Sequence, residues 1–345
     1  MGNGNGSGDL AARLRARWAR GAAFLGCPVP IVCGAMSWVS THGLVAAVSE
    51  AGGFGVLAAS AMPPEELVAE IAATRAATAR PFGVNVVTLH PRFDEVVAVC
   101  VEARVEHVIL AGGLPPAAAI RALKDAGAKV TCFAPVVPVA KRLIRAGVDA
   151  LVVEGSEAGG HVGPTSTLVL AQEILPHAGE VPVFVAGGIA TGAAVVACLE
   201  LGAVGCQLGT RFAACAESPA HPDFKAALVR AQSRDAVISP RIDPRLKTIP
   251  VRALHNRAMD AFTAMQRELL DALDRGEVSA EAVQERAEHF WAGRLRRAVV
   301  NGDVEEGSLM AGQGVGLVKG GETAAGIVHS LAREVEEIVG ESHGG

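Results

Sequence analysis

The chain alternates short, almost continuously apolar runs with longer alanine-rich stretches whose polar residues recur at helical spacing. A strand that is apolar on both faces is typical of a parallel sheet buried between helices. Eight such strands, each followed by a helix, predict a (β/α)8 TIM barrel of the α/β class, with a doubly wound open sheet as the alternative. We predict the strands at residues 30–34, 54–59, 82–87, 107–112, 129–134, 150–155, 181–188 and 204–210.

The pattern changes after about residue 250, where two amphipathic helices are predicted between residues 255 and 298, with Ser279 as the N-cap of the second. We interpret this pair as an insertion or lid. The opening "MGNGNGSG" has the composition of a disordered leader. The predicted organisation is therefore a leader and short helix (1–24), a ligand-binding barrel (25–250), a helical insertion or lid (251–300) and a C-terminal segment that closes over the ligand and packs on the barrel (301–345).

Composition and charge exclude several classes of function. The formal net charge is −5, so the chain as a whole has no electrostatic footprint for nucleic acid. The seven cysteines form no CxxC pair and no zinc-ligand spacing, which indicates free thiols in a reducing cytoplasm and no metal site. A long uncharged run, residues 181–199, is interrupted by proline and glycine, so we expect no membrane span. Oligomeric state stays open, with a homodimer as one alternative.

The ends of the predicted strands indicate a phosphorylated ligand, because barrel active sites lie at the carboxyl ends of the strands and the loops after strands seven and eight often bind phosphate. Gly187 and Gly188 expose backbone N–H groups, the helix that begins near Thr191 directs its positive end to the same place, and Thr210 adds a hydroxyl donor. The residues that the eight strands bring to this mouth include Gly34, Ala35, Met36, Asn85, Ala186, Gly187, Gly188, Gly209 and Thr210.

The sixth strand ends in "EGSEAGGHVG", residues 154–163, where glycines surround His161. Glycine allows a ligand to approach the backbone closely, and histidine is the side chain suited to proton transfer near neutral pH. Close approach from several strands favours a flat ligand such as flavin mononucleotide (FMN). Asn85 is interpreted either as a contact of the flavin edge or as bonded to backbone, and Met36 as site or core. Glu154 and Glu157 are interpreted as helpers that orient His161 or bind a cation.

Six motifs, in this order, closely resemble the nitronate monooxygenase (2-nitropropane dioxygenase) superfamily, which includes the FabK-type enoyl-ACP reductases. They are "CGAMSWVS", "PFGVNVV", "EGSEAGGHVG", "VFVAGGIATG", "CQLGTRF" and "GSLMAGQGVGLV", and the resemblance covers roughly residues 25 to 335. It implies an FMN-containing barrel with His161 as the active-site histidine. It also implies that FMN is lined by the nine mouth residues named above, by Ala158, Gly159 and Gly160, and by the closing residues Met310, Gly312 and Gln313.

The resemblance leaves two reactions open. In the leading interpretation, a nitronate or nitroalkane is oxidised with O2 as a partner and His161 is the base. In the alternative, NAD(P)H is the co-substrate, an enoyl thioester or a quinone is reduced, and His161 is the proton donor. The turn Gly34-Ala35-Met36 is closer to the reductases, whereas the helices at about 255–298 are not part of their compact pattern. A non-redox barrel that binds a phosphorylated ligand is the remote alternative.

Overall fold

The computed structural model describes residues 5–246 and 248–341, and its centre is a closed barrel of eight parallel strands. The prediction of a (β/α)8 barrel is therefore confirmed. The ninth strand pairs with the first and closes the ring, while the seventh lies outside it. The strands up to this closure are β1 (Ile31–Cys33), β2 (Phe54–Ala58), β3 (Phe82–Val87), β4 (His107–Ala111), β5 (Lys129–Phe133), β6 (Ala150–Glu154), β7 (Gly160–His161), β8 (Val183–Ala186) and β9 (Gly205–Leu208).

Helices form the outer layer, and the last of them packs against helices near both ends of the barrel sequence. None of the helices in the two described ranges is both long and apolar enough to cross a bilayer. The helices are α1 (Asn5–Leu25), α2 (His42–Glu50), α3 (Pro64–Ala77), α4 (Phe93–Glu102), α5 (Ala117–Asp125), α6 (Val137–Arg145), α7 (Thr167–Ile174), α8 (Gly192–Leu201), α9 (Thr210–Ala213), α10 (Pro222–Arg230), α11 (Arg257–Asp274), α12 (Ala280–Asn301) and α13 (Ala324–Glu341).

The first helix differs from the prediction, because α1 begins at Asn5, inside the segment interpreted as a disordered leader. Residues 1–4 of that leader lie outside the described residues. The end of α1 reaches the amino-terminal end of the barrel, where Lys129 Nζ donates to the carbonyl oxygen of Phe24 at 2.5 Å. The adjacent Leu25 lines a cavity of about 20 Å³ inside the barrel. This helix therefore closes the end of the barrel that lies opposite the predicted site.

Side chains alternate between the barrel interior and the helical layer along each strand. On β6, Val153 packs with the outer helices, whereas Val152 belongs to the interior cluster that also contains Phe54 and Phe184. Glu154 lies two residues after Val152 and therefore faces the interior, at the carboxyl end of the barrel. The barrel interior is therefore mostly apolar along its length and becomes polar at the carboxyl ends of the strands, where the candidate site is expected.

A second, smaller sheet was not predicted. It contains β10 (Ala236–Ile238), β11 (Val251–Leu254) and β7, in the antiparallel order β10-β11-β7. Helices α11 and α12 agree with the predicted pair, and the Ser279 hydroxyl accepts from the N–H of Ala282 at 3.2 Å, which agrees with the predicted cap. Phe262 and Trp291 of these helices pack with β11. The helical pair therefore supports the sheet that carries His161.

Candidate active site

The loops after β8 and β9 present unobstructed backbone. Gly187 and Gly188 have φ values of +100° and +73°, a region that favours glycine. Within the described ranges, no protein acceptor pairs with the N–H groups of Gly188 and Thr210. Thr210 Oγ1 accepts from the N–H of Gly312 at 3.0 Å, and that bond leaves the hydroxyl hydrogen available to donate. Gly209, Thr210 and the glycine pair thus form a surface of donors without intervening side chains.

The end of helix α8 differs from its predicted role. Its N-terminus was expected to face the phosphate, but the N–H of Gly192 donates to the Glu334 carboxylate of α13 at 2.6 Å. The Thr191 hydroxyl also accepts from the N–H of Ala194 at 3.3 Å. A carboxylate at this position neutralises the positive end of the helix. The backbone donors that remain for a phosphate would therefore be those of the β8 and β9 loops.

Gly159, two residues before His161, has a different physical reason from the one predicted. A Cβ atom at Gly159 would lie 2.6 Å from the backbone of Ala311 and Gly312. The N–H of Gln313 donates to the carbonyl oxygen of Glu157 at 2.9 Å. The backbone of the C-terminal segment, and not a ligand, therefore excludes a side chain at Gly159. The segment crosses the loop that follows β6, next to Ala158.

Glu157 is a capping residue of helix α7. Its carboxylate accepts from the backbone N–H of Thr167 at 2.7 Å and from Thr167 Oγ1 at 2.8 Å. The same threonine hydroxyl lies 3.0 Å from the carbonyl oxygen of Gly187, so it joins the β6 loop to the β8 loop. Glu157 therefore positions α7 rather than His161. This corrects the interpretation of Glu157 as a residue that orients His161 or binds a cation.

His161 lies on the small sheet, where it pairs with Val251 of β11, and its side chain is exposed. Its neighbour Gly160 pairs with Arg252. Arg252 is only 6% exposed, and its Nε donates to the carbonyl oxygen of Ser156 at 2.8 Å while Nη1 donates to that of Ala236. Loss of hydration lowers the pKa of Arg252. This buried cation ties the start of the His161 loop to the small sheet.

Glu154 carries the most perturbed carboxyl group near the mouth. Burial raises its pKa to about 7, and the charge of His161 opposes this rise. In register it lies opposite Ala186 of β8, whose small side chain leaves room at the top of the barrel. At neutral pH a large fraction of this carboxyl is therefore protonated and can donate a hydrogen bond.

The rest of the upper layer contains carboxamides and small residues. Asn85 Nδ2 donates to the carbonyl oxygen of Ile109 at 3.1 Å, which is the backbone bond left open as an alternative. A Cβ at Gly34 would meet the Gln207 amide at 2.9 Å, so Gly34 makes space for that side chain. Gln207 and Arg252 were missed. Like Asn85, Gln207 is a polar residue within an apolar strand, and this pattern in the sequence could have indicated a site residue. No comparable pattern in the sequence marks Arg252.

Two further predicted residues lie beside the glycines of the mouth. The Sδ of Met36 would be 3.6 Å from a Cβ at Gly209, and the Sδ of Met310 would be 3.6 Å from one at Gly160. Met36 also packs against the core, which was the alternative interpretation. Trp38, in the same turn, has a φ of +61°, a strained backbone for a bulky residue. The turn after β1 therefore holds Met36 in a fixed place at the mouth.

These residues fit FMN. Its phosphate requires several donors without intervening side chains, and the N–H groups of Gly188 and Thr210 supply them. Its ring would require a floor of small and polar groups, and Gly34, Glu154 and Ala186 are such groups at the carboxyl ends of β1, β6 and β8. Among residues 5–246 and 248–341, no cluster of histidine, cysteine or acidic side chains could hold a metal ion.

Comparison with known proteins agrees with this geometry. The family model described as nitronate monooxygenase matches residues 21–96 and 90–334. A nitronate monooxygenase from Paraburkholderia phytofirmans is 30% identical, over 91% of this chain and 94% of its own length. An indene-carboxyl-CoA dehydrogenase from Mycobacterium tuberculosis is 35% identical over 64% of this chain, and the match spans only 62% of that relative.

Solved structures resemble the whole barrel. FabK from Thermotoga maritima superposes with a TM-score of 0.84 and 37% identity, covering 94% of this chain and 98% of that one. A nitroalkane oxidase from Streptomyces ansochromogenes gives a TM-score of 0.77 and 29% identity, with 92% and 98% covered. With its barrel, its histidine on the small sheet and its glycine-lined mouth, the chain belongs to the nitronate monooxygenase family of flavin-dependent oxidoreductases.

Proposed function

We propose that the protein is an FMN-dependent nitronate monooxygenase that oxidises nitronates or nitroalkanes, with O2 as the electron acceptor. The observation that carries the proposal is the position of His161, exposed on β7 two residues after Gly159, which abuts the C-terminal segment that is bonded to Thr210. FMN, held at the mouth of the barrel, would supply the redox chemistry between the substrate and O2. The family match and the nitronate monooxygenase relative support this reaction.

Different residues of the chain bind the cofactor and transfer the proton. The N–H groups of Gly188 and Thr210 bind the phosphate, and the C-terminal segment covers the site through Gly312 and Gln313. His161 takes the proton from the α carbon of a neutral nitroalkane, or binds the nitro oxygens of a nitronate as an electrostatic partner. Because Arg252 fixes the loop that precedes it, His161 is presented to the substrate in one place.

An NAD(P)H-dependent reductase of enoyl thioesters or quinones is the second candidate. It is favoured by the 37% identity to FabK over nearly the whole chain and by the CoA-ester dehydrogenase among the relatives. In that reaction His161 donates a proton to the reduced substrate instead of removing one. Both candidates use the same cofactor site and the same histidine, so substrate binding must distinguish them.

The deciding experiment is anaerobic mixing of the flavin-loaded protein with NADPH, NADH or a nitronate, followed by flavin absorbance. We expect rapid bleaching by the nitronate and retained colour with both nicotinamides. Bleaching by either nicotinamide, followed by recovery of the colour on addition of an enoyl thioester or quinone, would establish the reductase instead. Protein that binds no FMN on reconstitution would overturn both candidates.

A further inference from the structure

Arg211 is a buried cation that directly follows Thr210, one of the two proposed phosphate donors. It belongs to the short helix α9, and only 7% of the residue is exposed. A buried guanidinium is costly unless hydrogen bonds and an opposite charge compensate it. The groups that compensate Arg211 therefore determine which elements of the fold it holds together.

All three nitrogens of the Arg211 guanidinium are bonded to other elements. Nε donates to one carboxylate oxygen of Glu322 at 3.0 Å and Nη2 donates to the other at 2.6 Å, which makes a bidentate pair. Nη2 also donates to the hydroxyl of Ser330 on α13 at 3.1 Å. Nη1 donates to the carbonyl oxygen of Ala190, in the loop after β8, at 2.9 Å. One side chain thus joins the end of β9, the loop after β8 and the C-terminal segment.

The positive charge of Arg211 is balanced within this group of bonds. The Glu322 side chain is 17% exposed and supplies the compensating negative charge. A second carboxylate, that of Glu334 on α13, accepts from the N–H of Gly192, so the positive end of α8 is neutralised as well. Arg211 therefore offers little free positive charge to a bound anion, and its contribution is the placement of backbone N–H groups.

The two loops that Arg211 joins are the loops that carry the proposed phosphate donors. Thr210 is the adjacent residue, and Gly188 lies two residues before Ala190. An anion is bound tightly by backbone N–H groups when several of them are held in fixed directions around it. The bond from Arg211 to Ala190 fixes the loop of Gly188 relative to that of Thr210.

We propose that Arg211 is a positioning residue that aligns the phosphate-binding loops after β8 and β9, and thereby favours a phosphorylated flavin over an unphosphorylated one. The four residues Arg211, Glu322, Ser330 and Ala190 form what we call the arginine clamp. The inference rests on the proposed function for the identity of the ligand, whereas the clamp itself does not depend on it. Because the aligned N–H groups bind the phosphate, loss of the clamp weakens binding of the phosphate and spares binding of the flavin ring.

The first test compares the affinities of FMN and riboflavin, which differ only in the phosphate, for the flavin-free full chain. The double variant Arg211→Met/Glu322→Gln removes both charges together, so that no buried charge is left unpaired. We expect the affinity for FMN to fall about tenfold or more and that for riboflavin to change by less than about twofold, in titrations followed by flavin fluorescence. An unchanged FMN affinity, or equal losses for both flavins, would overturn the proposal.

Two further variants separate alignment from charge. Arg211→Lys keeps the positive charge but cannot bond to Ala190 and to both oxygens of Glu322 at once, so it should also lose affinity for FMN. Wild-type affinity in this variant would mean that charge alone matters and would overturn the proposal.

The matched control is Arg294→Met/Glu306→Gln. This half-buried pair joins α12 to the C-terminal segment, and among the described residues it has no hydrogen bond to either loop. The control should bind both flavins as the wild type does. An equal fall in FMN affinity in the control would show that loss of any such ion pair has this effect, which would also overturn the proposal.

The second test measures amide hydrogen exchange of the protein without flavin. In Arg211→Lys, we expect faster exchange across residues 187–191 and 209–212 and unchanged exchange in strands β2–β5. Unchanged exchange in both loops would overturn the role of the clamp. If the wild-type protein binds neither flavin, the cofactor of the proposed function is wrong, whereas this measurement still decides whether Arg211 holds the two loops together.

Discussion

The hydroxyl of Thr210 and the backbone N–H of Gly312 are joined by a hydrogen bond of 3.0 Å. This bond connects the end of β9 to the C-terminal segment, which crosses the mouth of the barrel about a hundred residues later. In the proposed site one threonine therefore serves two purposes, since its backbone N–H is a donor for the phosphate and its side chain fixes the C-terminal segment.

Thr210→Val should weaken the cover over the cofactor. The variant keeps the shape of the side chain but leaves the N–H of the buried Gly312 without its acceptor, which costs about 1–3 kcal/mol. We expect faster loss of FMN on dilution, measured by flavin fluorescence, and a lower free energy of unfolding. Thr210→Ser keeps the hydroxyl and should behave as wild type. Equal FMN release from all three proteins would contradict this role for the hydroxyl.

Gly188→Val should produce a protein without flavin. The backbone at this residue has a φ of +73°, which a β-branched side chain adopts only at a cost of roughly 1–3 kcal/mol. A Cβ would also lie 3.0 Å from the Cβ of Glu157. Absorbance after reconstitution with FMN measures the outcome. Gly163→Ala is the control, since nothing lies within 4 Å of its added Cβ. A yellow Gly188→Val protein would refute the phosphate placement.

Arg252→Met should loosen the loop that carries His161. The side chain makes charge-assisted hydrogen bonds to two backbone carbonyls, each worth about 1.5–3 kcal/mol. We expect faster amide hydrogen exchange across residues 155–161 and lower kcat with FMN retained. The exposed Arg245, paired with Asp243 and Asp274, offers a control, because surface ion pairs contribute little and Arg245→Met should leave stability nearly unchanged. Unchanged exchange in the Arg252 variant would mean that the loop is held by other contacts.

The barrel could be predicted from sequence because each of its strands is buried on both faces. The eight apolar runs coincide with β1–β6, β8 and β9, whose boundaries differ from the predictions by a few residues at most. Asn85 and Gln207 gave a usable signal for the same reason, since a carboxamide within an apolar strand must find a partner. The partner that Asn85 finds, the carbonyl oxygen of Ile109, could not be predicted from the sequence.

The small sheet could not be predicted, because a two-residue strand has no periodicity and its partner β11 lies about ninety residues later. The roles of two carboxylates depend on equally distant contacts. Glu334 caps α8 across 142 residues, and Glu157 caps α7 across a loop whose shape the sequence does not specify. The glycines next to His161 were predicted to face a ligand, but the backbone of Ala311 explains Gly159, and that contact exists only in the folded chain.

His161→Ala should separate binding from catalysis. The side chain is exposed on β7 and is not one of the proposed phosphate donors, so FMN should remain bound with an unchanged absorbance spectrum. Loss of a positioned proton-transfer group lowers turnover by about 10²–10⁴-fold. His177→Ala, at an exposed position far from the mouth, is the control and should turn over normally. Normal turnover by the His161 variant would show that another group moves the proton.

His107 should make the protein sensitive to acid. It is 3% exposed, between the rings of Phe24 and Phe54, and burial lowers its pKa from 6.5 to about 4. The unfolded chain therefore binds more protons than the folded one between these values, so stability is complete above about pH 6.5 and falls as pH drops towards 4.

The expected loss from this residue is roughly 3 kcal/mol at pH 4, since one pKa unit corresponds to about 1.4 kcal/mol. His107→Leu should remove that part of the slope, measured by urea unfolding from pH 8 to pH 4. Glu154, whose pKa is raised, contributes the opposite slope between its ordinary value of 4.5 and about 7, so the variant must be compared with wild type at each pH. Parallel stability curves for the two proteins would show that His107 is not the acid-sensitive group.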